Sequence, residues 1–334
     1  MPGWLLRPRA TVTRVTSAVS PASEPTLAAE LATLASGVAQ EAAELLMSRR
    51  GKVGLVRTKS SPTDVVTEMD RAAEDLIRHR LLAARPGDAF LGEEGGQYGS
   101  GTAGGSGGSS PLASTAGGSG GSSPLASTAG GSGGSSSLAS TVRWVVDPID
   151  GTVNYLYGLP DWGVSIAAEV GGEIVAGAVC LPLRRALFTG VSGGGAWLES
   201  SWQAGRQRLS CNAGVALPAA LVATGFAYGS AQRASQGRVV AAILPRVRDI
   251  RRSGSAASDL CSVAAGQVDA YYERGLKYWD LAAGGLIARE AGALTGGLRG
   301  EAAGAAMTIA AAPGLFTELH DLLATLHDES PLAG

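Results

Sequence analysis

Two spacings of apolar residues divide the chain. Leu27, Leu31, Leu34, Val38, Ala42 and Leu45 recur every three or four positions, which predicts an amphipathic helix over about 26–49, stopped by Gly51. Val66, Met69, Ala73, Leu76 and Leu81 predict a second helix over about 65–83. The pattern then shortens. "AFLGEE" at 89–94 and "VRWVVD" at 142–147 are compact apolar runs that predict strands, each ending in acids. "WGVSIAAEV", Gly-Gly and "EIVAGAVC" predict a hairpin over 162–180, and "ALFTGV" (186–191) and "AWLES" (196–200) extend an antiparallel sheet. Beyond residue 200 the elements alternate: strand near 220–225, helix 233–245, strand near 248–252, helix 256–266, strand 268–273, helix 281–291 and a last helix 314–326. A meander followed by alternation predicts a mixed α/β (α+β) sandwich with two sheets.

One stretch fits neither period. "TAGGSGGSSPLAS" occupies 102–114 and 115–127, and "TAGGSGGSSSLAS" follows at 128–140. No charged residue lies between Glu94 and Arg143. The repeats hold too few apolar residues to stack a core, so 99–141 is expected to be a disordered surface insertion rather than a solenoid. Residues near 98 and 142 should then lie close together. The expected organisation is a tail over 1–25, an N-terminal α+β half over 26–200 interrupted by that insertion, and a C-terminal α/β half over 201–328. The tail carries several arginines and one acid, Glu24, but lacks the continuous apolar run of a signal peptide.

Composition narrows the function. Of 334 residues, 45% are hydrophobic and 17% charged, enough for a sizeable core, and the formal net charge of −2 offers no basic surface for nucleic acid or an anionic membrane. No apolar run approaches the roughly 20 residues a membrane helix needs. Three widely spaced cysteines, Cys180, Cys211 and Cys261, make neither a disulfide framework nor a CxxC site, which fits a reducing cytoplasmic setting. The three histidines are not spaced as zinc ligands.

The candidate chemistry lies in the acids. Glu93 and Glu94 follow one apolar strand, and Asp147 and Asp150 follow another. Asp280 immediately precedes a predicted helix, and Asp64 stands just before the second helix. Singly, Asp64 and Asp280 could be N-caps, the two glutamates a solvated loop, and "DPID" a turn around Pro148. Together they make an oxygen-only donor set, joined by the Ile149 carbonyl, that suits Mg²⁺ or Mn²⁺. Gly151 and Thr152 follow at once and open a short apolar segment whose free N–H groups could hold phosphate.

"LGEEGG", "WVVDPIDGTVNYLYGLPDWGVSIA" and "DAYYERGLKYWDLAAGGLIAREAGA", in that order, resemble the inositol monophosphatase family, and "KSSPTDVVTEMD" at 59–70 is similar to its N-terminal pattern. With "ATGFAYG" and "RRSGSAASDLC", the likeness is greatest to actinobacterial members. The resemblance covers about 26–326. It implies a layered αβαβα sandwich of the sugar phosphatase fold, a homodimer, lithium sensitivity, two to three Mg²⁺ ions and hydrolysis of a small-molecule phosphate monoester, with inositol 1-phosphate first. It also implies roles. Glu93, Asp147 and the Ile149 carbonyl would hold one metal, with Glu93 also beside a weaker third. Asp147, Asp150 and Asp280 would hold the second. Asp64 and Thr152 would activate water, with Glu93 part of the catalytic set. Gly151 and Thr152 would cradle the phosphate, and Glu273 and Asp280 would face the substrate. Phosphatases of the same fold acting on histidinol phosphate, adenosine 3′,5′-bisphosphate or fructose bisphosphate are the alternatives. A regulatory protein binding the transcription machinery is an alternative of another class.

Overall fold

The protein is described by a computed structural model covering residues 26–50, 55–58, 65–98, 141–201 and 205–329. The tail, Gly51, Asp64 and the Gly/Ser repeat lie outside the described residues.

Helix α1 (Leu27–Arg49) begins at Thr26, whose side chain accepts from the Ala29 amide. The face it buries is Leu31, Ala35, Val38, Ala39, Ala42 and Leu46. This corrects the predicted stripe. Leu27 is 42% exposed, and Leu34 and Leu45 only flank the core. Alanines form the contact because a helix laid flat on a sheet approaches more closely over small side chains. The ribbon β1 (Leu55–Thr58) and β2 (Val65–Thr67) precedes α2 (Glu68–Ala84). The second helix therefore starts three residues later than predicted. Thr67 caps it, accepting from the Met69 and Asp70 amides, while the Asp70 carboxylate accepts from the Thr67 amide. This reciprocal cap satisfies amides that the helix leaves unpaired and fixes its start.

Strands β3 (Ala89–Gly92), β4 (Gly96–Tyr98) and β5 (Val142–Asp150) come next, then the short helix α3 (Thr152–Tyr157). β6 (Gly163–Val170), β7 (Glu173–Leu181), β8 (Ala186–Val191), β9 (Gly195–Ser200) and β10 (Arg206–Arg208) complete an eight-stranded sheet, ordered β10-β9-β8-β7-β6-β5-β3-β4. Tyr98 pairs with Phe90, and Arg143 pairs with Ala89 on the other side of β3. The two ends that flank the repeat thus share one end of the sheet, about two strand spacings or ~10 Å apart.

The C-terminal half supplies β11 (Leu221–Thr224), α4 (Ser230–Ile243), β12 (Asp249–Arg251), α5 (Ala256–Ala264), β13 (Ala270–Glu273), α6 (Tyr278–Glu290), β14 (Leu294–Gly296), β15 (Thr308–Ala311) and α7 (Pro313–Glu329). The second sheet is ordered β12-β11-β13-β15-β14. Two kinds of departure from the predicted elements stand out. β4, β10, β14 and β15 were not predicted, since three are three-residue edges and "TIAA" is too short and alanine-rich to register. Helix α6 begins at Tyr278, so Asp280 lies in its first turn instead of preceding it. Asp280 still reaches back, its Oδ2 accepting from the Lys277 amide at 2.7 Å.

The layers follow from the burial. α1 and α2 cover one face of the large sheet. α5 and α6 fill the space between the sheets. α4 and α7 cover the outer face of the small sheet. This is an αβαβα sandwich. Helix α6 lies tight on β7: a Cβ at Gly177 would stand 3.0 Å from the Ala283 Cα. Among the described residues, no helix is long and apolar enough to cross a membrane.

Candidate active site

β5 runs through the core of the large sheet and ends in Asp147-Pro148-Ile149-Asp150. Proline has no N–H to give the ladder. The pairing with β6 slips there: Asp147 opposes Ser165, whereas Asp150 opposes Gly163, so one extra residue bulges from β5. Both aspartates are buried. Asp147 Oδ1 accepts from the Ile149 amide at 3.1 Å.

Asp150 meets the start of α5. Its Oδ2 accepts from Ser255 Oγ and from the Ala257 amide, both at 2.6 Å, and its Oδ1 accepts from the Ala256 amide at 3.3 Å. Ser255 is also the α5 N-cap, accepting from the Ser258 amide at 3.2 Å. Desolvation raises the Asp150 carboxyl to about 6 against the pull of these donors. The positive end of α5 is where a buried carboxylate is best tolerated.

Gly151 turns the chain from β5 into α3 with φ +94°, and a Cβ there would lie 2.9 Å from the Asp161 carbonyl and 3.2 Å from that of Gly254. Only glycine takes this turn without strain. Thr152 Oγ1 then stands 3.1 Å from the Ile149 carbonyl and 3.2 Å from Asp70 Oδ1. One hydroxyl proton can serve only one of the two. Asp70 is buried, and desolvation raises it to about 6, with Thr67 opposing and the charges of Glu93 and Glu94 adding. Asn154 ties the turn to the α5 entry by donating to Ser253 O at 2.8 Å.

Glu93 follows β3 and is half-buried. The loop that carries it is anchored by buried Glu74, which accepts from the Glu94 amide at 2.8 Å and the Gly95 amide at 2.7 Å. Asp280 comes from α6 and Glu273 from the end of β13. Glu273 packs where a Cβ at Gly225 would stand, and accepts from the Tyr271 hydroxyl at 2.6 Å. Desolvation raises Glu273 to about 7, with Asp150 adding and Arg252 opposing. Asp280 rises well above the ordinary carboxylate range, by desolvation first and then by the charge of Asp150, with smaller contributions from Glu93 and Glu273.

Asp150, Asp280, Glu93 and Glu273, drawn from four elements, are therefore near enough to perturb one another. Among the described residues, no three carboxylate, histidine or cysteine side chains stand ready-made around a metal position. Asp147 accepts from the Ile149 amide, Asp280 from the Lys277 amide, and Asp150 from the amides at the start of α5. The donor set is nevertheless all oxygen, and the mutual repulsion at Asp280 is what a hard divalent cation would relieve, so these residues fit Mg²⁺ in kind. Sequence reasoning passes over Asp70, Glu74, Ser255 and Asp259. Thr67-x-x-Asp70 carries the capping-box signature and Ser255 the N-cap signature, so two of the four had a local signal.

The family model described as the inositol monophosphatase family matches residues 27–331. Inositol-1-monophosphatase SuhB of Mycobacterium tuberculosis is 42% identical over 323 residues, spanning 93% of this chain and 98% of the relative. A protein named Nus factor SuhB from Xylella fastidiosa is 35% identical over 256 residues, 76% of this chain and 77% of the relative. The solved structure of Mycobacterium tuberculosis SuhB superposes with a TM-score of 0.67 at 38% identity, covering 89% of this chain and 97% of that one.

Proposed function

The chain belongs to the inositol monophosphatase family, whose members are metal-dependent phosphatases, and from that premise we propose that it hydrolyses inositol 1-phosphate to inositol and phosphate with Mg²⁺. What supports the reading is that Asp150, Glu93 and Glu273 lie near enough to Asp280 to raise its carboxyl, while Thr152 Oγ1 stands beside Asp70 and the Ile149 carbonyl. Glu93, Asp147, Asp150, Asp280 and the Ile149 carbonyl would hold two to three ions. When bound, Mg²⁺ offsets the charge of the phosphate and lowers the pKa of water.

The chain's own residues do the positioning. Gly151 lets the backbone turn tightly against the Asp161 and Gly254 carbonyls, and its amide and that of Thr152 would hold the phosphoryl oxygens. Thr152 Oγ1, free to exchange partners, orients the attacking water together with Asp64, and Asp70 positions Thr152. Glu273 would accept from a hydroxyl of the substrate, which favours a polyol. Water attacks phosphorus in line with the leaving oxygen, the P–O ester bond breaks, and no covalent phosphoenzyme forms. Lithium sensitivity and a homodimer belong to the same reading.

The test is phosphate release from inositol 1-phosphate, histidinol phosphate, fructose 1,6-bisphosphate and adenosine 3′,5′-bisphosphate, with and without Mg²⁺ and Li⁺. Fastest turnover of inositol 1-phosphate, dependent on Mg²⁺ and suppressed by Li⁺, is expected. Equal or faster turnover of another ester would replace the substrate. The relatives named Nus factor SuhB favour a second reading, a binding role carried alongside or instead of hydrolysis. No Mg²⁺-dependent release from any of the four esters would leave that reading standing.

A further inference from the structure

Helix α6 carries Asp280, yet the residue before the helix does not cap it. Lys277 stands at that position, and an ammonium has no acceptor to offer the free amides. The Asp280 carboxylate accepts from the Lys277 amide instead, and the Asp280 amide donates to the Lys277 carbonyl at 3.2 Å. The direction of this carboxylate is therefore set by the backbone of its own first turn, and what anchors that turn comes from the large sheet.

β5 and β6 set Arg143 directly opposite Glu169. Facing residues of a ladder share one side of the sheet. Val145, two positions on from Arg143, joins the same apolar cluster as Ala282 and Ala283, so this is the side that α6 covers. Glu169 is buried. Its Oε2 accepts from Arg143 Nη2 at 2.7 Å and from the Tyr278 hydroxyl at 2.6 Å. Tyr278 is the first residue of α6 and lies 109 positions from Glu169 in the chain. The Arg143 guanidinium carbon also stands 5.8 Å from the centre of the Tyr278 ring, within cation–π range. Desolvation pushes the Glu169 carboxyl up, but the bonds from Arg143 and Tyr278 outweigh it and hold the group below its ordinary range. Glu169 is thus an ionised, buried acceptor, and hydrogen bonds to such a group are short and strong.

We propose that Glu169 and Tyr278 are positioning residues for Asp280. The Tyr278 hydroxyl, gripped by the Arg143–Glu169 pair, fixes the start of α6 and so aims the carboxylate two residues further on. They act through the helix backbone, and the inference rests on Asp280 being a Mg²⁺ ligand.

The test is calorimetric titration of the full-length protein with Mg²⁺, comparing the parent with Tyr278→Phe, Glu169→Ala, the double variant, Glu169→Gln and Asp280→Asn. Tyr278 is 36% exposed, so loss of its hydroxyl opens no void in the core. Tyr278→Phe and Glu169→Ala should each weaken Mg²⁺ binding about tenfold, the low end for a residue outside the ligand set. The double variant should bind no worse than either, because the same contact is lost in each. Glu169→Gln keeps an acceptor for the hydroxyl and should retain most of the affinity, whereas Asp280→Asn should lose more than tenfold. The Mg²⁺ concentration for half-maximal phosphate release should shift in step. Thermal unfolding checks that each variant is folded, and should Glu169→Ala not fold, Tyr278→Phe decides alone. Parent-like affinity in folded Tyr278→Phe, or additive losses in the double variant, would overturn the proposal, and weakened binding by Asp280→Asn would then leave the metal reading standing. Parent-like affinity in Asp280→Asn would overturn both.

Discussion

Ser255 Oγ donates to Asp150 Oδ2 at 2.6 Å, joining residues 105 positions apart in the chain. The same hydroxyl oxygen accepts the Ser258 amide, so one side chain both caps α5 and positions a candidate metal ligand. Ser255→Ala removes both contacts, while the Ala257 amide still holds Asp150. Stability should fall by about 1–3 kcal/mol in urea unfolding. The Mg²⁺ concentration for half-maximal phosphate release should rise, and Ser255→Thr should restore most of it. An unchanged Mg²⁺ dependence would reduce Ser255 to a helix cap.

Asp259 lies in α5 and is buried. Desolvation raises its carboxyl to about 8, against a hydrogen bond from Ser253. That value is above the ~3.9 of an unfolded aspartate. Between about pH 4 and 8 the folded protein therefore binds more protons than the unfolded chain, and stability falls as pH rises through that window. Asp259→Asn removes this dependence. The variant should match the parent near pH 4 and gain on it toward pH 8, by roughly 1.4 kcal/mol per pH unit at most. Thermal unfolding across that range checks it, and parallel curves for variant and parent would count against it.

Gly151→Ala tests the turn. The added methyl meets the Asp161 carbonyl at 2.9 Å in a backbone conformation that alanine avoids. Stability should drop by about 1–2 kcal/mol from the conformation alone. Activity should drop far more, about 100-fold, because a shift near 1 Å displaces Thr152. Comparing kcat with the unfolding midpoint separates the two effects, and loss of stability without loss of kcat would remove the turn from the site.

The acids that end apolar strands were readable in the sequence because burial makes a carboxylate conspicuous. Asp147 and Asp150 close β5, and Glu93 follows β3 as the pattern suggested. A two-sheet α/β sandwich was likewise legible from the meander followed by alternation, whereas the αβαβα layering was implied by the family resemblance alone. Other features depend on contacts the sequence does not display. The α5 start that receives Asp150 is more than 100 residues away from it. The bulge at Pro148 exists only relative to β6. The face of α1 rotated because alanines, weak in any hydrophobic pattern, pack closest to the sheet. Asp70 was hidden as an ordinary helix-cap residue, although the fold sets it beside Thr152.

The most direct measurement is Mg²⁺-dependent phosphate release from inositol 1-phosphate by the parent and by Asp147→Asn, each checked for folding and for Mg²⁺ binding. The carboxylate account predicts rapid release by the parent, a loss of at least about 1,000-fold in a folded variant, and weakened Mg²⁺ binding. Undiminished turnover by Asp147→Asn would contradict it.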